Sequence, residues 1–403
     1  MRASYDIAVI GGGVVGLATA YQILLRKPGL SLAIVEKERE LASHQTGHNS
    51  GVMHAGLYYA PGSRKARLCR EGRAALENFA LEHGIPYKRC GKLVVALETA
   101  ELPRLVEIRE RALANGVEGI EEVGLDRMRE IEPHAAGIRA LWSPTTGVID
   151  FRRVALAYAN EVVSRGGAIL TGRRVRRIET KGSEQVIRTG EGDVVCRDVI
   201  SCAGLHADRV AAMTGAAGDE RIIPFRGDYY TLTPGARRLV RGLIYPVPDP
   251  RFPFLGIHFT RTIAGEVLAG PNAVLAFARE GYRRRDVSPR DLVQILAFPG
   301  FRRLARKYWT TGLAEMFRDW SKKAFTAGLR RYLPEISGQD LDFGPSGVRA
   351  QALNPDGTLV EDFSIGESPH ALHVRNAPSP AATASLAIGR EIAELAFARF
   401  GLR

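Results

Sequence analysis

An irregular segment, residues 44–60, concentrates side chains that could do chemistry. It runs HQTGHNSGVMHAGLYYA and holds three histidines, His44, His48 and His54. A neutral imidazole, with an ordinary pKa near 6.5, can accept a proton from a substrate at physiological pH. A long loop without helix or strand periodicity inside a compact domain usually binds a ligand. We therefore predict a binding site here, with His54 as the first choice of general base.

A glycine motif lies upstream of this segment, between elements that can position it. The motif GxGxxG is satisfied by Gly11, Gly13 and Gly16. Apolar runs at 5–10 and 31–35 predict strands, and the pattern at 15–26 predicts a helix. The glycines allow a tight turn, close approach of a pyrophosphate and packing of helix on strand. Glu36 ends the second strand, where its carboxylate can accept hydrogen bonds from ribose hydroxyls, which favours NAD or FAD over NADP.

The chain after Glu36 distinguishes the two remaining dinucleotides. An NAD enzyme usually continues promptly into another helix and strand, whereas this chain stays irregular until a helical pattern starts near Arg64. Such an arm can follow a long ligand from its pyrophosphate to its ring. We therefore predict FAD.

Composition excludes several classes of protein. The chain has 403 residues, 45% of them hydrophobic, and a net charge of +12, which predicts about two globular domains and anionic partners. Its four cysteines form no CxxC pair and no cluster with histidine, so we expect reduced thiols, noncovalent FAD and no metal site.

The uncharged run 7–25 contains four glycines and is interpreted as strand, turn and helix rather than a membrane span. Nothing resembles a nucleic-acid reader module.

Further motifs occur in a fixed order along the chain: GVIDFRRVALAYA, ISCAGLHADRVA, IIPFRGDYYTL, LIYPVPDPRFPFLGIHFT, GPNAVLAFAREGYRRRD, GVRAQALNPDGTLVEDF and NAPSPAATASLAIG. With segment 44–60, they resemble the L-2-hydroxyglutarate oxidase/dehydrogenase family of D-amino-acid-oxidase-like flavoproteins, over nearly the whole chain. The resemblance implies oxidation of L-2-hydroxyglutarate to 2-oxoglutarate, by hydride transfer from C2 to the flavin. The electrons would pass to a quinone or to oxygen.

The predicted fold is α/β, with a discontinuous Rossmann-like FAD-binding domain and an α+β substrate domain that contains an antiparallel sheet. The FAD-binding domain is assigned to residues 1–90, 150–215 and 345–403, and the substrate domain to 91–149 and 216–344. A C-terminal amphipathic helix is expected from about Ala381. Its N-terminus could stabilise negative charge on a reduced flavin.

The expected cofactor contacts come from the glycine turn, the irregular arm, two strand ends and the C-terminal loop. Resemblance to the family places the Val175 backbone beside the adenine. The full set is Gly11, Gly13, Val14, Val15, Gly16, Glu36, Lys37, Gln45, Thr46, His48, Asn49, Ser50, Gly51, Val52, Val175, Ala203, Gly204, Ser379, Pro380, Ala381 and Ala382.

A dicarboxylate substrate calls for at least two cationic or multiple-donor groups. Arg349 matches the position at which amino-acid-oxidase relatives hold the substrate carboxylate. Arg226 is expected on a strand facing the same cavity, with Tyr229 nearby as a donor. His258 is the second candidate for the base.

The segment 279–334 carries fourteen Lys and Arg against five Asp and Glu. Its pattern predicts helices broken near residues 299–300 and 310–312. Its aromatic side chains are either the core of a cap or part of a surface that binds an anionic membrane, where a quinone would be reached. The second alternative predicts a cytoplasmic protein that binds peripherally to the inner face of the cell membrane.

Two other functions fit the same residues. One is an amine or amino-acid oxidase of the glycine or sarcosine type, on the same fold. The other is a non-catalytic anion- or membrane-binding protein that retains the dinucleotide fold as a scaffold.

Overall fold

The first 35 residues form the strand, glycine turn, helix and strand that the sequence predicts. The computed structural model describes residues 4–249 and 256–402. Residues 250–255, in the middle of the motif LIYPVPDPRFPFLGIHFT, lie outside this part of the chain. The strands are β1 Ser4–Ile10, β2 Leu32–Val35, β3 Val52–Met53, β4 Tyr87–Lys88, β5 Lys92–Ala96, β6 Glu121–Val123, β7 Arg139–Ser143, β8 Gly147–Ile149, β9 Ala168–Leu170, β10 Val175–Lys181, β11 Glu184–Thr189, β12 Val194–Ser201, β13 Arg221–Leu232, β14 Leu243–Pro246, β15 His258–Arg261, β16 Val267–Gly270, β17 Val274–Leu275, β18 Leu341–Leu353, β19 Ser364–Ser368 and β20 Ala371–Asn376.

Ten α-helices lie within the same described residues. They are α1 Val14–Arg26, α2 Arg64–Glu82, α3 Leu102–Ala114, α4 Leu125–Ile131, α5 Phe151–Ser164, α6 Ala207–Ala212, α7 Pro289–Ala297, α8 Pro299–Trp320, α9 Lys322–Arg330 and α10 Ser385–Phe400. Helix α2 begins at the predicted residue. Helix α10 begins four residues later than predicted, because residues 381–384 form turns in which the amide of Ala384 donates to the carbonyl of Pro380.

The first sheet carries the glycine turn at the carboxyl end of β1. Strands β9, β2, β1, β12 and β20 run parallel in that order, and β10, β11 and β19 extend the sheet with antiparallel pairings. Continuous apolar runs form β1 and β2 because parallel strands are covered on both faces. Helices α1, α5 and α10 pack together on one face. Gly389 of α10 allows this, since a Cβ there would lie 2.7 Å from the backbone of Ala18.

The second sheet is mostly antiparallel, with the order β17-β13-β16-β15-β14-β5-β7-β6, and β18 pairs along the length of β13. Strands β13, β16 and β15 pair antiparallel with one another in that order, so the predicted antiparallel sheet is confirmed. A small third sheet joins β3, β8 and β4.

Sheet membership departs from the predicted division of the chain at β8 and β18. Strand β8 lies in the range assigned to the substrate domain but pairs with β3 and β4, which lie in the range assigned to the FAD-binding domain. Strand β18 belongs to the second sheet and runs across the proposed boundary at residue 345. The division into domains otherwise stays a prediction.

The basic segment is helical, as predicted, but its breaks differ. Helices α7 and α8 are separated at Phe298, close to the predicted break, whereas residues 310–312 lie inside α8. The break predicted around residues 310–312 occurs two residues earlier, as a kink at Tyr308 where the backbone leaves helical φ and ψ. Helix α8 ends at Trp320.

Candidate active site

A cavity of about 1100 Å³ extends between the two large sheets, from the glycine turn to β13 and β18. This volume is at the upper end of the usual range for ligand pockets, so the cavity has room for a long ligand. Its walls come from the turn after β1, the irregular arm, the chain after β12, and the loop before α10. The cavity therefore joins a nucleotide-binding turn to the antiparallel sheet of the second layer.

The glycine turn has the backbone geometry that the motif predicts. Gly11 has φ +111°, which a residue with a side chain rarely adopts, and a Cβ there would lie 2.4 Å from the carbonyl oxygen of Cys202. The buried carboxylate of Glu36 accepts from the amides of Gly12 at 2.7 Å and Glu38 at 2.8 Å. Each carboxylate oxygen can accept a further bond. The turn, the positive end of α1 and this carboxylate fit the phosphates and a ribose of FAD.

The irregular arm is fixed to both neighbouring elements. The hydroxyl of Thr46 accepts from the amide of Val14 at 3.0 Å, which ties the arm to the first turn of α1. The side chain of Asn49 closes the following turn by accepting from the amide of Gly51 at 2.8 Å. Further along, the amide of His54 donates to the hydroxyl of Thr383 at 3.1 Å, in the loop before α10. The arm is therefore an ordered wall, and its hydrogen bonds place His54 inside the cavity.

His54 and His258 both line the cavity and are both neutral at physiological pH. Burial, with a smaller contribution from the charge of Lys92, lowers the pKa of each imidazole to about 3. The expectation of an ordinary imidazole pKa for His54 was therefore wrong. A ligand of negative charge would raise both values, because an opposite charge favours the protonated form. The ring of His258 stacks on that of Tyr245 at 3.8 Å.

Arg349 and Tyr229 lie in the cavity wall on the paired strands β18 and β13. Burial lowers the pKa of Arg349, but a guanidinium remains charged at physiological pH. Burial raises the pKa of Tyr229, and the neighbouring Arg349 and Ser50 partly offset that rise. This pair can offer several donors to a carboxylate from one wall.

Arg226 is not in the cavity, and its prediction as a substrate-binding residue was wrong. Side chains alternate along β13, so Arg226 points to the opposite face from Gly227 and Tyr229. Its Nε lies 3.0 Å from both carboxylate oxygens of Asp228, and its Nη2 lies 3.4 Å from Asp319. With 4% of its surface exposed, Arg226 links β13 to the end of α8.

The other predicted site residues fall on the cavity wall, with one exception. Gly51 packs against β8, and a Cβ there would lie 2.7 Å from the carbonyl oxygen of Ile149. The remaining residues predicted to bind the cofactor line the cavity. Their individual contacts with FAD stay predictions.

Several cavity residues were missed by the sequence analysis. Lys65 and Tyr245 line the substrate end. At the other end, Glu280 accepts from Lys37 at 2.7 Å and pairs with His206 at 2.8 Å. These pairings hold the pKa of Glu280 well below its ordinary value, although burial alone would raise it. No local pattern marks such residues, because their partners are distant in sequence.

The fold and this cavity define an FAD-dependent oxidoreductase. A model of the family described as FAD dependent oxidoreductase matches residues 6–395. The L-2-hydroxyglutarate dehydrogenase of Indibacter alkaliphilus is 48% identical over 98% of this chain and 100% of the relative. That of Escherichia coli is 44% identical over 96% and 92%. An L-α-glycerophosphate oxidase of Mycoplasma pneumoniae with FAD bound has a TM-score of 0.80 at 22% identity over 98% of this chain and 95% of its own, which shows the fold alone.

The chain belongs to the L-2-hydroxyglutarate dehydrogenase family of FAD-dependent oxidoreductases. The resemblance inferred from the arm and the later motifs is thereby confirmed, and so is FAD as the cofactor.

Proposed function

We propose that the protein oxidises L-2-hydroxyglutarate to 2-oxoglutarate at the end of the cavity formed by His54, Tyr229 and Arg349. The observation that carries this proposal is that one cavity joins a flavin-binding turn to Arg349, whose charge reaches the neutral imidazole of His258, with His54 in the same cavity lining. FAD, when bound, supplies the acceptor for the hydride that leaves C2 of the substrate.

Each residue of this end has a separate task. Arg349 holds the carboxylate next to C2, and its planar fork fixes the orientation of the substrate. Tyr229, on the neighbouring strand, offers a hydroxyl donor to the same group. The neutral imidazole of His54 accepts the proton of the substrate hydroxyl as C2 is oxidised.

The reaction is tested by anaerobic mixing of the FAD-loaded protein with L-2-hydroxyglutarate. We expect the flavin absorbance to bleach and one 2-oxoglutarate to form for each flavin reduced. Absorbance that stays unchanged at saturating substrate would contradict the proposal.

FAD is expected to be bound without a covalent link. Within the described residues the four cysteines are unpaired thiols, and burial raises the pKa of Cys202, which lines the cavity, to about 12. A protonated thiol is a poor nucleophile. Acid precipitation should release all the yellow colour into the supernatant. Colour that stays with the precipitate would show a covalent linkage.

We further propose that α8 binds an anionic membrane surface and brings the protein to a quinone acceptor. Along α8, Trp309, Leu313, Phe317 and Trp320 are exposed by 57–74% and lie on one helix face. The helix is basic in its first half, and each Lys or Arg near an anionic surface contributes about 1 kcal/mol. Among the described helices, none combines the length and the apolar content needed to cross a membrane. The exposed apolar face and the basic first half of α8 are the two features that support peripheral binding.

The membrane proposal predicts sedimentation with anionic liposomes at low salt and weaker sedimentation at high salt. Replacing Trp309, Phe317 and Trp320 together by serine should abolish sedimentation, because the apolar face would no longer enter the interface. Leu81→Ser is the matched control, since Leu81 is 68% exposed but lies on α2. If the wild-type protein stays in the supernatant at low salt, α8 is only a cap of the substrate domain. That result would favour a soluble electron acceptor.

A further inference from the structure

Lys92, the first residue of β5, is a buried lysine in an aromatic enclosure. Only 1% of its surface is exposed. Its Nζ lies 4.5 Å from the ring centroid of Tyr245 and 5.1 Å from that of Tyr58. Within residues 4–249 and 256–402, no carboxylate forms an ion pair with this ammonium, and none contributes to its titration. Lysine is almost never fully buried unless it is paired, so the charge points to an anion supplied from outside.

The cavity wall lies directly beside this lysine. Tyr245 contacts Lys92 and lines the cavity, and its ring stacks on His258, which lines the cavity too. The charge of Lys92 reaches both His54 and His258, since it lowers the pKa of each imidazole. The lysine is therefore separated from the substrate end of the cavity by one layer of aromatic rings.

Arg226 does not supply the second cation that was expected at the substrate end, because it does not line the cavity. The other lysine of this wall, Lys65, already donates to the carbonyl oxygen of Glu361 at 2.7 Å, and the charges of Asp362 and Glu361 raise its pKa against the larger effect of burial. Its positive charge is thus partly matched within the protein, whereas that of Lys92 is not.

We propose that Lys92 is the second cationic residue of the substrate site. It acts through the Tyr245–His258 wall, attracts the carboxylate distant from C2, and makes the site prefer dicarboxylates to monocarboxylates. It does not touch the reacting atoms, so its role is to position the substrate. The inference rests on the proposed function, because it takes the ligand of the cavity to be a 2-hydroxy dicarboxylate.

The charge of Lys92 changes within an accessible pH range. Burial lowers its pKa to about 8, so the ammonium is charged at pH 7 and mostly neutral at pH 9. The groups around it stay neutral over this range: burial raises the pKa of Cys69 to about 12 and also raises those of Cys90, Tyr58 and Tyr245. Among these groups, Lys92 is therefore the one whose charge changes between pH 7 and pH 9.

The facing groups of the cavity do not titrate in the same way. His54 and His258 are neutral throughout the range, and Arg349 stays charged. Lys65 is the other lysine of this wall, and burial lowers its pKa too, so a Lys65→Met variant serves as the matched control.

The experiment measures binding of glutarate and butyrate, which lack the hydroxyl that would be oxidised, from the perturbation of flavin absorbance. In the wild-type protein, glutarate should bind on the order of tenfold more weakly at pH 9 than at pH 7. That is the effect of one unit charge about 10 Å away at an effective dielectric constant of ~20. Butyrate should change much less. Lys92→Met should bind glutarate at pH 7 as weakly as the wild type does at pH 9, and its glutarate affinity should no longer depend on pH.

Lys92→Met should also raise the Tm. The folded-state pKa of Lys92 lies below that of an exposed lysine, so burial of its charge costs stability at pH 7, and methionine removes that cost. A purely structural role would change the Tm but leave the ratio of glutarate to butyrate affinity unaltered. An unaltered ratio of glutarate to butyrate affinity overturns the proposal. It is also overturned if the pH dependence of glutarate affinity persists in Lys92→Met and disappears in Lys65→Met.

Two further outcomes are decisive. If Lys92→Met does not fold or does not retain flavin, the wild-type titration alone decides, because a constant glutarate affinity from pH 7 to pH 9 contradicts the proposal. If the wild-type flavin is not reduced by L-2-hydroxyglutarate but the affinity ratio falls as expected, the proposed function fails and the role of Lys92 in dicarboxylate binding stands.

Discussion

Replacing His54 by alanine is expected to slow anaerobic flavin reduction at saturating L-2-hydroxyglutarate by about 10²–10⁴-fold, the usual contribution of a positioned general base. The physical reason is that the substrate hydroxyl would have no neutral imidazole to accept its proton. Stopped-flow absorbance at the flavin bands measures this step apart from reoxidation.

His258→Ala is the matched control for His54→Ala, because both histidines line the cavity with pKa values lowered to about 3. A larger loss in His258→Ala would assign the base to His258. If His54→Ala slows only reoxidation, the base lies elsewhere.

The pH profile of kcat/KM gives a second test of the same base, because it reports the pKa of the free enzyme. An imidazole acts as a base above its pKa, and this activity is lost as the pH falls through that pKa. Since burial lowers the pKa of His54 to about 3, we expect kcat/KM to stay level from about pH 7 down to about pH 5. A fall centred near pH 6.5 would contradict the lowered pKa of this histidine.

Replacing Arg349 by alanine is expected to lower kcat/KM roughly 30- to 5000-fold. This factor corresponds to a loss of about 2–5 kcal/mol of transition-state stabilisation, the range for removing one partner of a buried charge pair. The substrate carboxylate would then be buried in the cavity without its cation. Steady-state kinetics with L-2-hydroxyglutarate measures the loss.

Two variants accompany Arg349→Ala. Arg349→Lys keeps the charge but not the planar fork, and should fall between wild type and alanine. Gln351→Ala changes another cavity residue of β18 and should have a small effect. Wild-type kinetics in Arg349→Ala, with normal flavin content, would remove Arg349 from the site.

The sequence predicted those parts of the site that depend on local patterns. The glycine turn, Glu36 and the arm are short stretches whose residue types dictate backbone geometry, and the structure brings them to one cavity. Arg226 was wrongly assigned to the cavity, although its position in the sequence indicates the opposite face of the strand. It lies three residues before Tyr229 on a strand, and odd spacings put side chains on opposite faces.

Other features depend on contacts between distant parts of the chain. Lys92 begins the apolar run KLVVAL, a position at which a lysine is usually exposed at a strand end. Only the packing of Tyr58 and Tyr245 around it shows that it is buried. The low pKa of His54 likewise comes from burial by distant elements, so a residue type alone could not predict it.

The most direct test of the proposed function compares flavin bleaching by four substrates under anaerobic conditions: L-2-hydroxyglutarate, glycine, sarcosine and D-proline. In a site where His54 is the neutral base and Arg349 binds the carboxylate, L-2-hydroxyglutarate should rapidly bleach the flavin and form 2-oxoglutarate. The three amines should not bleach it. Rapid bleaching by an amine without bleaching by L-2-hydroxyglutarate would contradict it and identify an amine or amino-acid oxidase.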